Sequence, residues 1–199
     1  MKTLLLSLVL LFTTQGFAQS ESNQSVFSKN QKYDNEGVEL YESNLDMKLH
    51  KKFGLGIALG GATGLLALNG EINLEPMNAL TIGLGTGPSY GTFGLGWKHN
   101  FEGYYLSPYM KFGYSKWFSS STGAGSATDS DVLKRIFSDN ELKSGRFDAD
   151  FIVGSAGIEY NQLEGDLAGV NFFGEVVLMT EFRKATVVPA GTVGLTYYY

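Results

Sequence analysis

The chain contains no cysteine. No disulfide can brace its fold, so a self-sufficient hydrogen-bond network must do so, and a lipoprotein anchor, which needs a cysteine at the cleavage site, is excluded. Beyond the amino-terminal leader no apolar run approaches the roughly 18 residues of a membrane-spanning helix. Positive charge is also scarce. Fifteen basic residues face 20 acidic ones, and removing Lys2 with the leader gives 14 against 20, a net charge of −6, which argues against a nucleic-acid partner.

The leader has the three-part layout of a signal peptide: Lys2, the apolar run Leu4 to Phe12, then Gly16-Phe17-Ala18 with small residues at the cleavage positions. A spanning helix is the competing reading, but Thr13, Thr14 and Gln15 interrupt the run too early. Residues 1–18 are expected to be removed on export. Residues 19–50 are polar, rich in Ser, Asn and Glu as far as Leu45, and are expected to form a mobile periplasmic arm that could fold on meeting a partner.

From Lys51 the pattern changes. Gly is abundant at 26 residues, aromatics reach 14%, and the near-neutral mean hydropathy of −0.05 conceals alternation with a period of two. Phe53, Leu55, Ile57 and Leu59 alternate with Gly54, Gly56, Ala58 and Gly60. A second strand sets Leu66, Leu68, Ile72 and Leu74 against Asn69, Glu71, Asn73 and Glu75, and Glu75-Pro76-Met77-Asn78 turns the chain. Leu80, Ile82 and Leu84 form a third strand, Phe93, Leu95 and Trp97 opposite Lys98 a fourth. The fifth sets Leu106, Met110, Phe112 and Tyr114 against Tyr109, Lys111, Gly113 and Ser115, with Pro108 expected near a strand end or a bulge.

Ser119 to Arg146 is the one long insertion. Its first part is rich in Ser, Gly and Thr, and Asp129-Ser130-Asp131 ahead of Val132, Leu133, Ile136 and Phe137 predicts a capped amphipathic helix. The sixth strand sets Phe147, Ala149, Phe151 and Val153 against Asp148, Asp150 and Gly154, and a parity break after Ser155 predicts a bulge before Ile158 and Tyr160. The seventh strand turns Phe172, Val176 and Leu178 outward and Asn171, Glu175 and Glu181 inward. After a turn at Arg183-Lys184-Ala185 the last strand carries Val193, Leu195, Tyr197 and Tyr199 on its apolar side.

Eight strands of this kind predict an all-β, antiparallel up-and-down transmembrane barrel over 51–199, because hydrocarbon tolerates only structures that pair every backbone group internally. An even count puts both termini on one side, and the long loop 119–146 then falls on the other, outside the cell. The chain's end, Thr192, Gly194, Tyr197 and Tyr199, resembles the carboxy-terminal signal read by the outer-membrane assembly machinery. The whole region resembles the small outer-membrane barrel superfamily, similar in scale to the transmembrane part of outer membrane protein A and to the X and W families. That resemblance implies a monomeric structural or interaction protein without a cofactor, with minor small-solute passage as an option.

The inward charges Glu71, Glu75, Lys98, Lys111, Asp148, Asp150 and Glu175, with Asn69 and Asn73, are expected to satisfy one another in a lumen filled by side chains. A narrow cation-preferring passage is the functional alternative. Barrel enzymes that trim or acylate lipid A use His and Ser near the outer rim, but His50 and His99 fall on the periplasmic side without a partner at a motif spacing, so no catalytic role is expected. The glycines from Gly83 to Gly96 alternate as on a strand face, unlike a phosphate-binding loop. Lys134, Arg135, Lys143, Arg146, Arg183 and Lys184 surround the long loop, where lipopolysaccharide phosphates would lie. The plain reading there is a solvated loop balanced by Asp129, Asp131, Asp139 and Glu141. A soluble lipocalin-like barrel binding an apolar ligand is the alternative for the whole chain; it would turn Phe53, Leu55 and Ile57 inward.

Overall fold

A computed structural model describes residues 32–33, 37–120, 130–144 and 147–199. Residues 1–18, read above as a signal peptide, half of the amino-terminal arm, Asp129 and Arg146 lie outside the described residues. Eight antiparallel strands close on themselves in sequence order: β1 (Phe53–Gly60), β2 (Leu66–Glu75), β3 (Asn78–Gly87), β4 (Tyr90–Asn100), β5 (Leu106–Ser119), β6 (Asp148–Asn161), β7 (Val170–Glu181) and β8 (Val187–Tyr198). Closure joins β1 to β8 with Gly54 opposite Tyr198 and Gly60 opposite Thr192. Phe53 and Tyr199 exchange backbone hydrogen bonds beyond the last strand pair. No strand is left with an unpaired edge, which is the condition for sitting in hydrocarbon.

The bulky apolar residues point outward. Leu68 and Phe112 are 66% exposed, Leu66 50%, whereas Glu71 is buried on the inside. This orientation rules out the lipocalin-like packing. Phe53, Trp97, Tyr160, Tyr197 and Tyr199 ring the end at which the chain enters and leaves the barrel, in the manner of an interfacial girdle.

Three corrections to the sequence reading concern faces. β6 runs without a bulge: its pairing with β5 keeps one register from Leu106↔Tyr160 to Phe118↔Asp148. The residues facing the lumen are Ala149, Phe151 and Val153, all buried, so Asp148 and Asp150 point outward at the long-loop rim. The apparent parity break at Ser155 is a change in what fills the lumen, apolar above and polar below. Glu75 lies beyond a register shift after Asn73, at the β2–β3 turn, where it is exposed and accepts a hydrogen bond from Asn78 Nδ2.

The last part of the arm is folded. Helix α1 (Asn44–His50) starts at an N-cap Ser43, whose hydroxyl accepts from Asp46 N–H, and buries Asn44, Met47 and Lys48. It is stitched to the barrel's terminal end: Asn44 Nδ2 donates to Phe101 O at 2.9 Å, Gly103 N–H to Asn44 Oδ1 at 2.9 Å, and Tyr41 N–H to Leu163 O at 2.9 Å. Tyr41, Met47, Leu163, Ala168 and Tyr198 form a small apolar cluster beside it. At the opposite end the long insertion carries α2 (Asp131–Lys134) and α3 (Asp139–Lys143), capped by Ser130 and Ser138. A mobile arm was the expectation; its last part instead packs as a folded element on the terminal end of the barrel.

Candidate functional site: the barrel lumen and its two ends

The charged residues of the lumen gather in its terminal half. Lys98 on β4 reaches Glu71 on β2 (Oε2 at 3.0 Å) and Glu159 on β6 (Oε2 at 2.8 Å). Lys48, from α1, enters the same cluster: its Nζ lies 2.5 Å from Glu159 Oε1, 2.7 Å from Asn100 Oδ1 and 3.9 Å from Glu71 Oε1. Tyr198 OH donates to Glu71 Oε1 at 2.9 Å. Lys48 and Glu159 are fully buried. A buried carboxylate is tolerable only when its lone pairs are filled, and here every oxygen of the two glutamates has a donor or a close ammonium.

One turn higher, Lys111 pairs with Glu175 at 2.7 Å, and Tyr109 OH and Ser155 Oγ both donate to the same Glu175 oxygen at 3.1 Å. Lys98 and Lys111 flank the Tyr109 ring at 4.6 and 5.7 Å from its centre, a favourable stacking of cation on aromatic face. Above them lies a chamber of about 100 Å³, bounded by Asn69, Thr81 and the bare glycine wall of Gly83, Gly94, Gly96 and Gly113. Its wall is largely apolar with a few polar groups, and it is large enough for several waters.

The turn joining β1 and β2 roofs this chamber. Gly60, Gly61 and Gly64 all have positive φ, and the 3-10 turn Gly61–Thr63 between them folds into the barrel mouth. Ala62 O accepts from Ser115 Oγ at 2.6 Å and Trp117 Nε1 at 2.8 Å, and Thr63 O accepts from Thr92 Oγ1 at 2.6 Å. A Cβ on Gly85 would stand 1.8 Å from Thr63 O, so glycine there makes the close approach possible. Beyond the turn, Trp117 stacks on Tyr90 at 4.8 Å, and Leu133 and Leu142 from the loop helices, with Ile136 between them, pack in the mouth over Phe151, Val177, Met179 and Val188.

Aromatic rings elsewhere in the lumen lie directly on glycines of the neighbouring strand: Tyr198 over Gly54, Tyr109 over Gly157 and Phe173 over Gly194. The glycine of the carboxy-terminal motif therefore has a packing role. Thr192 of that motif faces the lumen, and Tyr197 and Tyr199 face outward.

Of the residues expected in the lumen, Asn69, Glu71, Asn73, Lys98, Lys111 and Glu175 face it, while Glu75, Asp148 and Asp150 do not. Asp148 and Asp150 instead form an outer rim group with Lys116 at 2.9 and 3.5 Å, Arg183 at 3.8 and 4.0 Å, and the Tyr114 hydroxyl, which donates to Asp150. Lys184 caps Ile136 O at 2.6 Å and lies 5.0 Å from the centre of the Phe137 ring, tying the β7–β8 turn to the lid. Lys134, Arg135 and Lys143 are exposed on the lid helices. His50 pairs with Asp46, and His99 with Asn78, at the terminal end.

Sequence reasoning missed Glu159, Lys48, Asn100 and Tyr198. Unbroken counting by twos through β6 would have put Glu159 on the Ser155 face, and the spacing of Ser43 to Asp46 is a cap signal ahead of α1.

No protein-family model and no curated protein sequence matches the chain. Solved structures to which the chain is similar include the amino-terminal β-barrel domain of Pseudomonas aeruginosa OprF, at 15% identity and TM-score 0.45 over 73% of this chain and 96% of that one. Another is the Yersinia pestis outer membrane protein Ail, solved in a phospholipid bilayer nanodisc, at 10% identity and TM-score 0.40 over 75% of this chain and 99% of that one. By its own strand order, closure and outward apolar band, the chain has the fold of the small eight-stranded outer-membrane barrels.

Proposed function

We propose that the protein resides in the bacterial outer membrane as a monomeric barrel with a structural and interaction role, its termini toward the periplasm, its long loop outside, and its lumen closed to solute flow. The observation that carries this is the pairing of an apolar outer band on all eight strands with stoppers at both lumen ends. A solute would have to break the Lys48–Glu159 contact and the turn over Trp117 in succession. Fractionation into the outer membrane, anomalous migration on unheated gels and no steady conductance in planar bilayers are the expected results. Recovery in the periplasmic fraction would overturn the membrane reading, and stable single-channel steps would overturn the closed lumen.

The exposed Lys134, Arg135 and Lys143 support a second element of the proposal, contact of the lid with lipopolysaccharide phosphates, to which Arg146 and Arg183 could add. Arg183 already faces Asp148 and Asp150, and Lys184 is engaged by the lid, so these two are the weaker contributors. Replacing the three lid residues with Gln is expected to lower retention on immobilised lipopolysaccharide; unchanged retention rejects the contact. Tyr197 and Tyr199 suit recognition by the outer-membrane assembly machinery, and their replacement by Ser is expected to lower the yield of inserted barrel.

A further inference from the structure

The strands bring two carboxylates, Glu71 and Glu159, into the terminal half of the lumen but only one ammonium, Lys98. The barrel wall by itself is therefore one cation short there. The missing charge is delivered from outside the wall by Lys48 of α1. Its surroundings are those of a receptor for a primary ammonium: a carboxylate oxygen at 2.5 Å, an amide oxygen of Asn100 at 2.7 Å, a second carboxylate at 3.9 Å, and the Tyr198 ring centre at 5.3 Å. The acceptors come from β4, β6 and β2 and the ring from β8, so strand pairing and not the helix holds them in place.

We infer that the terminal end of the barrel is a primary-ammonium binding site, built by Glu159, Asn100, Glu71 and Tyr198, and occupied in cis by the Lys48 side chain. Three hydrogen-bond donors on a compact ammonium match the inward oxygens, whereas a quaternary ammonium has none to give and is too wide for a 2.5 Å contact. The segment carrying Lys48 is held by its own caps and contacts, so it acts as a tethered ligand of high local concentration. A free amine competes for the site only when the lysine side chain has been cut back.

The test is chemical rescue. Lys48→Ala removes the three methylenes and the nitrogen that n-propylammonium would restore. The protein is refolded from urea into detergent micelles, with the folded fraction read on unheated gels across a titration of n-propylammonium chloride against tetramethylammonium chloride at matched ionic strength. A saturable gain specific to the primary amine is expected, with the folded-to-unfolded ratio rising about tenfold when the amine stands at about ten times its dissociation constant. The unaltered protein, Lys48→Met, and the Lys48→Ala/Glu159→Gln double variant are expected to show no such gain. If Lys48→Ala folds only with amine present, the proposal is supported. An equal response to both salts, a response surviving loss of Glu159, or failure to fold at every amine concentration would overturn it.

Discussion

The two ends of the barrel are packed with opposite chemistries. At the terminal end four charges, Lys48, Glu159, Lys98 and Glu71, meet inside the strand wall. At the long-loop end Leu133, Ile136 and Leu142 close an apolar mouth over Phe151, Val177 and Met179. Three of the four charges are on strands, so losing one leaves an unpaired ion inside the cylinder and the penalty falls on the barrel as a whole. The apolar lid belongs to the loop between β5 and β6, is tied to the β7–β8 turn through Lys184, and can lift without unpairing a strand. The charged end is therefore integral to the fold, while the lid is a separable cooperative unit.

Glu159→Gln should produce the largest effect, because Lys48 and Lys98 both lose their shortest partner. Removing one member of a buried pair costs about 3–5 kcal/mol, expected as a lowered urea midpoint for loss of the heat-modifiable gel band. A midpoint within error of the parent would mean that the charges contribute no specific stability and would dissolve the contrast between the ends. Leu142→Ala is the matched change at the other mouth, where Leu142 is fully buried. Truncating a buried leucine costs about 2–5 kcal/mol, yet here the loss is expected in the lid's resistance to proteolysis, with the urea midpoint of the barrel unmoved. Parallel falls in both measurements would show that the lid is no separate unit.

The strands were largely legible because lipid imposes a severe rule: an outward residue must be apolar, so Leu66, Leu68, Ile72 and Leu74 announce β2 without help from any partner. The lumen imposes no such rule. In β6 the inner face begins apolar under the lid, with Ala149, Phe151 and Val153, and ends polar with Ser155 and Glu159. Hydropathy alone then assigns the wrong face to Asp148 and Asp150, which are outward at a rim where Lys116 and Arg183 satisfy them. The second cation of the terminal cluster was hidden for another reason. Lys48 lies in a polar stretch, and only the strand-built acceptors, distant in sequence, reveal why a lysine there is buried.

Gly85→Ala probes the roof between the two ends. Its new Cβ would meet Thr63 O at 1.8 Å and Thr92 Oγ1 at 2.7 Å, so the Gly61–Thr63 turn must shift out of the mouth. Forced overpacking of this kind costs about 1–3 kcal/mol. Because the chain has no cysteine, Ser155→Cys supplies a unique thiol on the chamber wall. Its labelling by a small methanethiosulfonate is expected to be slow in the Ser155→Cys parent and faster with Gly85→Ala added. Equal rates would show that the turn does not control access to the chamber.

The smallest expected effect is a pH response confined to the lid. At α3 the backbone N–H of Ser138, and then its hydroxyl, donate to the Glu141 carboxylate, holding that carboxyl below the ordinary glutamate range. A carboxyl with a lowered folded value stabilises the fold above its unfolded value, about 4.3, and the contribution disappears as pH falls through the folded one. Acidification from neutral through that window should loosen α3, and Glu141→Gln, which keeps an oxygen to accept the backbone hydrogen bond but cannot titrate, should flatten the response. Trp117 beneath the lid reports it by fluorescence once the other tryptophan, Trp97, is replaced by Phe. An acid-induced shift in Trp117 emission of equal size in the Glu141→Gln variant would assign the change to another carboxylate and leave the capping box without a part in closing the mouth.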